Sequence, residues 1–526
     1  MVVAVSSASD ITTAIARADG LLRAGRRPEA RREIKILTAV APGRAEPWLL
    51  LARLEQTEGD FAAMLQAARQ AMDRTPDAPV AVLTLIEAEI MNGHTAEARS
   101  RLADFQTRAK GDPAALQRIA ETHTHLGAHA QADACVRAAR ALRPDDPDLQ
   151  YQAASCALAM GRLTEAEALL DAVIARRPDD FDAGYNRAVL RRQTPDRNHV
   201  DALQAALARI GETGAPPALR YALAKELEDL GETERAFDHL ERGAAARRAV
   251  MAYDVGGDVA AMRDIQTAFD AGFLASDAPG HDDEAPIFVV GLPRSGTTLV
   301  DRILSRHPQV ESRGEMNDLA LAVMRAPGKC ADKHERITRT AQADMAELGR
   351  SYCRSVRGAG ATGPMFLDKT PLNFLYLGVI ARALPRARIV HLTRHPMAGG
   401  YAMLKTLFRM GYPFSYSQDD LARYQTAYLG LMAHWRTHLG ERMLDVAYED
   451  IVDHQERETR RLLAHCGLDW HADCLTFNEA SGPSATASAA QVRRPLYRDS
   501  RDQWRGVAHR LTVLADGLRA GGVDVS

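Results

Sequence analysis

Six cysteines among 526 residues are few, and Cys135, Cys156, Cys330, Cys353, Cys466 and Cys474 form no CxxC pair. That pattern excludes a zinc ribbon and a disulfide framework, and fits reduced thiols in a cytoplasm. Net charge is small as well: 66 Lys and Arg against 69 Asp and Glu leave −3. The chain therefore has no general attraction for nucleic acid or an anionic membrane, and any anion site must be local. No apolar stretch approaches the roughly 18 residues of a membrane span. The start, Met-Val-Val-Ala-Val-Ser-Ser, lacks the basic region and apolar core of a signal peptide. A soluble, unprocessed, cytoplasmic protein is expected. No set of His, Cys, Asp and Glu stands at metal-ligand spacing, so no metal is expected.

What is present is ample globular sequence, with 46% hydrophobic and 26% charged residues. A single core stops growing at roughly 250–300 residues, which implies at least two domains. In the first half, glycines recur every 34 residues at Gly25, Gly59, Gly93, Gly127 and Gly161. Prolines keep the same phase at Pro42, Pro76, Pro144 and Pro178, and alanines at Ala30, Ala98, Ala132 and Ala166. Each unit reads as helix, turn, helix, with small residues for close crossing and proline where a helix must stop. The pattern resembles tetratricopeptide repeats. The phase weakens around Pro195 and returns at Gly231 and Ala236, 70 residues after Gly161, so the intervening unit is read as degenerate. Such an array offers an extended surface for a peptide, a protein partner or a second copy of the chain, or else packs only against its own protein.

Composition changes after Met251, through Gly256, Gly257, Pro279, Gly280 and the acidic run Asp282, Asp283, Glu284. The expected organisation is a repeat array over 1–250, a linker or connecting helix over 251–285, and a second domain over 286–526. That domain opens with an apolar strand, Pro286-Ile-Phe-Val-Val, running into Gly291-Leu-Pro293-Arg294-Ser295-Gly296-Thr297-Thr298 and a helix through about Arg306. A glycine-rich turn before a helix cradles phosphate through backbone N–H groups and the positive helix end. The spacing matches GxxxxGK[ST], except that Thr297 holds the lysine position. A working ATPase or nucleotide kinase is thereby disfavoured, and Arg294 supplies a planar fork suited to phosphate or sulfate oxygens.

This run, with Pro-Arg-Ser-Gly-Thr-Thr after an apolar strand, resembles the 5′-phosphosulfate loop of sulfotransferases, especially the tyrosylprotein sulfotransferase-like branch. The resemblance covers roughly 286–506. It implies an α/β, P-loop-like domain with a parallel sheet behind an all-α tetratricopeptide superhelix, with 3′-phosphoadenosine-5′-phosphosulfate as co-substrate. Pro293 through Thr298 would bind it. Glu315, 21 residues after Arg294 and following His307-Pro308, takes the place of the family's general base. Lys369, in Asp368-Lys369-Thr370-Pro371, takes that of the lysine that stabilises leaving-group charge, jointly with Arg294. Arg394, ending the strand Ala387–Thr393, is the expected 3′-phosphate ligand. The family's serine eight residues on is here Ala402, which removes a donor worth about 0.5–1.5 kcal/mol and implies reliance on Arg394 or a neighbour such as Tyr401. Near the end, Ser488, Gln491, Pro495 and Tyr497 resemble a loop that closes over the co-substrate, Ser488 taking a transition-state role and Tyr497 a binding one. The basic residue that commonly precedes Trp504 is Gln503, with Arg501 or Arg505 as substitutes. The acceptor is a hydroxyl on a peptide or protein tyrosine, a sugar or a small phenol. The competing reading is an interaction scaffold whose nucleotide-binding domain has lost its chemistry.

Overall fold

The computed structural model describes residues 8–282, 285–408, 411–479, 482, 492 and 499–526. Contacts divide them into two compact units that do not follow chain order: residues up to Ala128 together with Asn317–Thr362, and His129–Met316 together with Gly363–Ser526.

In the first unit, helices pair as Ala8–Arg23 with Arg27–Val40, Glu46–Glu58 with Phe61–Arg74, and Pro79–Met91 with Thr95–Arg108, followed by Pro113–His125. The 34-residue glycines end the leading helix of each pair: Gly25, Gly59 and Gly93 have φ of 72°, 76° and 76°. Their period therefore reports a left-handed turn that an L side chain resists, rather than close helix crossing. The crossing contacts fall to the alanines, and Ala30 and Ala98 are fully buried. The helices Asp318–Arg325, Lys333–Thr340 and Met345–Gly358, inserted between two strands of the other unit, complete this one. Leu321 and Met324 pack against the cluster of Ala52, Phe61, Met64 and Leu85, and the buried Thr95 hydroxyl donates to the Ser355 carbonyl at 2.6 Å.

The second unit continues the repeats from His129–Leu142 through Thr233–Ala249. Asp112, Asp146 and Asp180, again 34 apart, each cap a helix by accepting from its first-turn N–H groups. The unit read as degenerate is a helix pair whose first member, Phe181–Val189, has only nine residues. Helix Val255–Ala268 then leads to a five-stranded parallel sheet: β1 Ile287–Gly291, β2 Val310–Ser312, β3 Met365–Asp368, β4 Arg388–Thr393 and β5 Met443–Ala447, in the order β2-β3-β1-β4-β5. β1 lies in the centre and is buried along its whole length. A parallel strand covered on both faces reads as the continuous apolar run seen at 287–290.

Candidate active site

β1 delivers the glycine-rich turn to the carboxyl end of the sheet, and helix Thr297–Leu304 departs from it with all eight residues buried. Four features fix the turn. Gly291 has φ of 151°, and a Cβ there would lie 2.7 Å from the Leu392 carbonyl oxygen. Gly296 has φ of 104°, and a Cβ there would lie 2.7 Å from Cδ2 of Tyr448, so that ring seats directly on the turn. Arg294 holds φ of 65°, a left-handed conformation that costs a non-glycine residue about 1–3 kcal/mol and concentrates at functional sites. Its carbonyl accepts from Arg394 Nη1 at 2.7 Å, and the Arg394 guanidinium stands 4.8 Å from the Tyr448 ring centre. The two arginines expected to bind the anion thus meet at one turn.

The Ser295 hydroxyl is buried and has no hydrogen-bond partner among the described residues. A buried hydroxyl left unmatched costs roughly 1–3 kcal/mol, and an oxyanion bound in the turn would relieve it. Thr297 and Thr298 are also buried. The donor set is therefore the right chemistry for phosphate or sulfate oxygens.

Glu315 and Lys369 lie 54 residues apart, and parallel register brings them together. β2 pairs with β3 so that Ser312 faces Leu367, and the pairing runs on past both strands: Arg313 N–H donates to the Leu367 carbonyl and Lys369 N–H to that of Gly314. Lys369 Nζ then reaches Glu315 Oε1 at 2.6 Å, with the lysine fully buried and the glutamate 43% exposed. Thr370 Oγ1 donates to Asp368 Oδ1 at 2.7 Å and accepts from Met316 N–H at 2.9 Å, pinning both segments. Asp301, a buried acid on the helix after the turn, accepts from the Ser312 hydroxyl at 2.5 Å. Burial pushes its carboxyl above the usual range, against the nearby Lys369 ammonium. Neither Asp301 nor Tyr448 carried a sequence signal for the turn.

The Tyr401 phenol donates to Glu228 at 2.7 Å, which ties it to helix Pro217–Asp229. Gln503 Oε1 accepts from Lys405 Nζ at 2.8 Å. Arg501 pairs with Asp453, and Arg505 with Asp502. Lys405, which the sequence did not single out, is thus the cation that meets Gln503. Ser488 and Tyr497 lie outside the described residues. Among the described residues, no group of three or more His, Cys, Asp or Glu could hold a metal ion.

Residues 286–472 match the model of the sulfotransferase family, and 125–190 that of a tetratricopeptide repeat. An uncharacterized protein of Aquifex aeolicus is 28% identical over 254 residues, 46% of this chain and 33% of that one. The aligned part is thus a third of that relative's length. Protein-tyrosine sulfotransferase 1 of Danio rerio is 24% identical over 256 residues, 45% of this chain and 72% of its own. Among solved structures, the sulfotransferase domain of the Synechococcus PCC 7002 olefin synthase is 19% identical, covers 44% of this chain and 97% of its own, and has a TM-score of 0.29. The chain thus carries a tetratricopeptide-repeat match over 125–190 and a sulfotransferase-family match over 286–472, the second spanning the turn and both of its arginines.

Proposed function

We propose that the protein moves the sulfuryl group of 3′-phosphoadenosine-5′-phosphosulfate to an acceptor hydroxyl by in-line transfer. One observation carries the reading: a phosphate turn without the nucleotide-triphosphate lysine, strained at Arg294 and braced by Arg394, beside a Glu315–Lys369 pair. The co-substrate supplies a sulfuryl group already joined to a good leaving phosphate. Pro293 through Thr298 hold its 5′ end and Arg394 its 3′-phosphate. Lys369 and Arg294 offset the negative charge that grows on non-bridging and leaving oxygens. Glu315, whose carboxylate is partly open to solvent, takes the acceptor proton as its oxygen attacks. By the same resemblance, Ser488 and Tyr497 belong to the loop that closes the site. The relatives' name, protein-tyrosine sulfotransferase, favours a polypeptide tyrosine as acceptor. The repeats would then hold the polypeptide or a protein partner.

The test is calorimetric titration of 3′-phosphoadenosine-5′-phosphate into the full chain and into Arg294→Ala, with ATP as control. Binding that is lost in the variant and much weaker for ATP supports the reading. No binding to the unaltered chain overturns it.

A further inference from the structure

Behind the phosphate turn runs a chain of hydrogen bonds that the proposed chemistry does not use. Tyr428, on helix Gln418–Leu439, is buried, and its phenol oxygen takes a hydrogen bond from the backbone of Leu292, the first residue of the turn. The same oxygen meets Nε2 of His391 on β4, a residue with no exposed surface. His391 Nδ1 lies 2.5 Å from Asp445 Oδ1 on β5, its register partner. Asp445 Oδ2 accepts from Arg436 Nε at 2.5 Å, two helical turns beyond Tyr428 on the same helix face.

The partners fix the direction of every bond. A carboxylate only accepts, so His391 carries its proton on Nδ1 and its Nε2 is an acceptor. Tyr428 therefore donates to His391 and is free to accept from Leu292 N–H. The series is complete with a neutral imidazole, and each of its members is satisfied. Burial, opposed by Asp445, keeps His391 below the ordinary imidazole value. Against burial, the bonds from His391 and Arg436 hold the Asp445 carboxyl down at about 2.

We propose that Tyr428 and His391 are positioning residues for the phosphate turn, and that protonation of His391 loosens it. A second proton on the imidazole makes Nε2 a donor aimed at the phenol oxygen. The phenol proton then has no other acceptor among the described residues, so Tyr428 must either turn away from Leu292 or bear an unmatched donor. The groups facing His391 are Asp445 from β5 and Arg436 and Tyr428 from the helix, while Val290, its register partner on β1, carries no charge. The consequence for ligand affinity rests on the function proposed above; the consequence for the turn itself does not.

Two measurements on the full chain separate them. In titrations of 3′-phosphoadenosine-5′-phosphate at about pH 7.5, Tyr428→Phe is expected to bind about three- to tenfold more weakly than the unaltered chain. As the pH is taken down through the depressed titration of His391, below the ordinary imidazole range, that ratio is expected to approach one, because the unaltered chain then loses the same bond. The ligand's own titration cancels in the ratio. Amide exchange in the free protein supplies the second arm: Tyr428→Phe speeds exchange over 291–296, and acidification speeds it there in the unaltered chain more than in β3, after correction for intrinsic rates. An affinity ratio of one at the higher pH, a ratio indifferent to pH, or unchanged exchange over 291–296 would each overturn the proposal. If the unaltered chain fails to bind the ligand, the sulfotransferase reading falls, and the exchange arm still decides the role of Tyr428 and His391.

Discussion

Lys369 carries its ammonium into a position with no exposed surface, and Glu315 is its closest carboxylate, with Asp301 acting on it from the turn helix. Because the glutamate is partly open to solvent and a glutamine there keeps an oxygen for the buried Lys369 ammonium, the substitution spares the fold while deleting the acceptor for a substrate proton. Glu315→Gln is expected to cut sulfuryl transfer about 10²- to 10⁴-fold with little change in binding of 3′-phosphoadenosine-5′-phosphate, read by single-turnover assay beside calorimetry. Asp301 behaves oppositely to a salt-bridged surface acid. Its folded pKa is raised above the ordinary 3.8 by burial, so the native state binds the proton more tightly than the unfolded chain. Stability from that proton is present below the ordinary value and is lost as pH rises through the folded one. Asp301→Asn, which keeps a carbonyl for Ser312, should therefore raise the melting temperature near neutral pH relative to the unaltered chain, and the gain should shrink on acidification. Both carboxyl groups sit in motifs visible in the sequence, yet only Glu315 was legible there. Its partnership with Lys369 depends on the register of two parallel strands, which spacing along the chain does not encode. The Tyr428 series was hidden because aromatic residues at helical spacing look the same whether they fill a core or brace a turn.

Among elements, the helix pairs were the most legible, because backbone sterics favour a helix-ending glycine at the same place in successive units, Gly25 through Gly161. Gly20 and Gly25 test that distinction within five residues. Gly20 lies inside helix Ala8–Arg23 with nothing within 4 Å of an added Cβ, and Gly25 has the same free space but φ of 72°. Gly20→Ala is expected to stabilise the first unit by about 0.5–1 kcal/mol through reduced chain entropy. Gly25→Ala should destabilise it by about 1–2 kcal/mol, because the left-handed turn is then forced on an L residue. Opposite shifts of the denaturant midpoint from the same chemical change would separate conformational cost from packing; shifts of the same sign would refute it. The helix caps Asp112, Asp146 and Asp180 share the 34-residue step. Acidic residues are common enough in such sequences that their phase is recognised only once the helices are seen.

At the scale of the whole chain, the order of residues and the order of folding units part company. The segment 317–362 begins two residues after Glu315 and returns to the chain just before β3, yet it belongs with the first repeats. Its helices carry ordinary amphipathic patterns, and such a pattern states that a face is buried without stating against what. The expected division at 250 and 286 follows composition, which likewise marks where a chain is polar rather than which surfaces meet. If residues 317–362 and the repeats up to 128 form one cooperative unit, their amides should lose protection together on adding denaturant, independently of the sheet amides in β1, β3 and β4. Thr95 offers a local lever. Its hydroxyl is buried against the Ser355 carbonyl at 2.6 Å, and a Cβ on Gly358 would fall 2.4 Å from that same oxygen, so helix Met345–Gly358 is fitted closely to it. Thr95→Val keeps the shape and deletes the bond, at a cost of about 0.5–1.5 kcal/mol. Exchange should quicken in parallel over 345–358 and over the repeat helices of the first unit, while the sheet is unmoved. Faster exchange in the sheet to the same degree would instead mean that both units unfold as one.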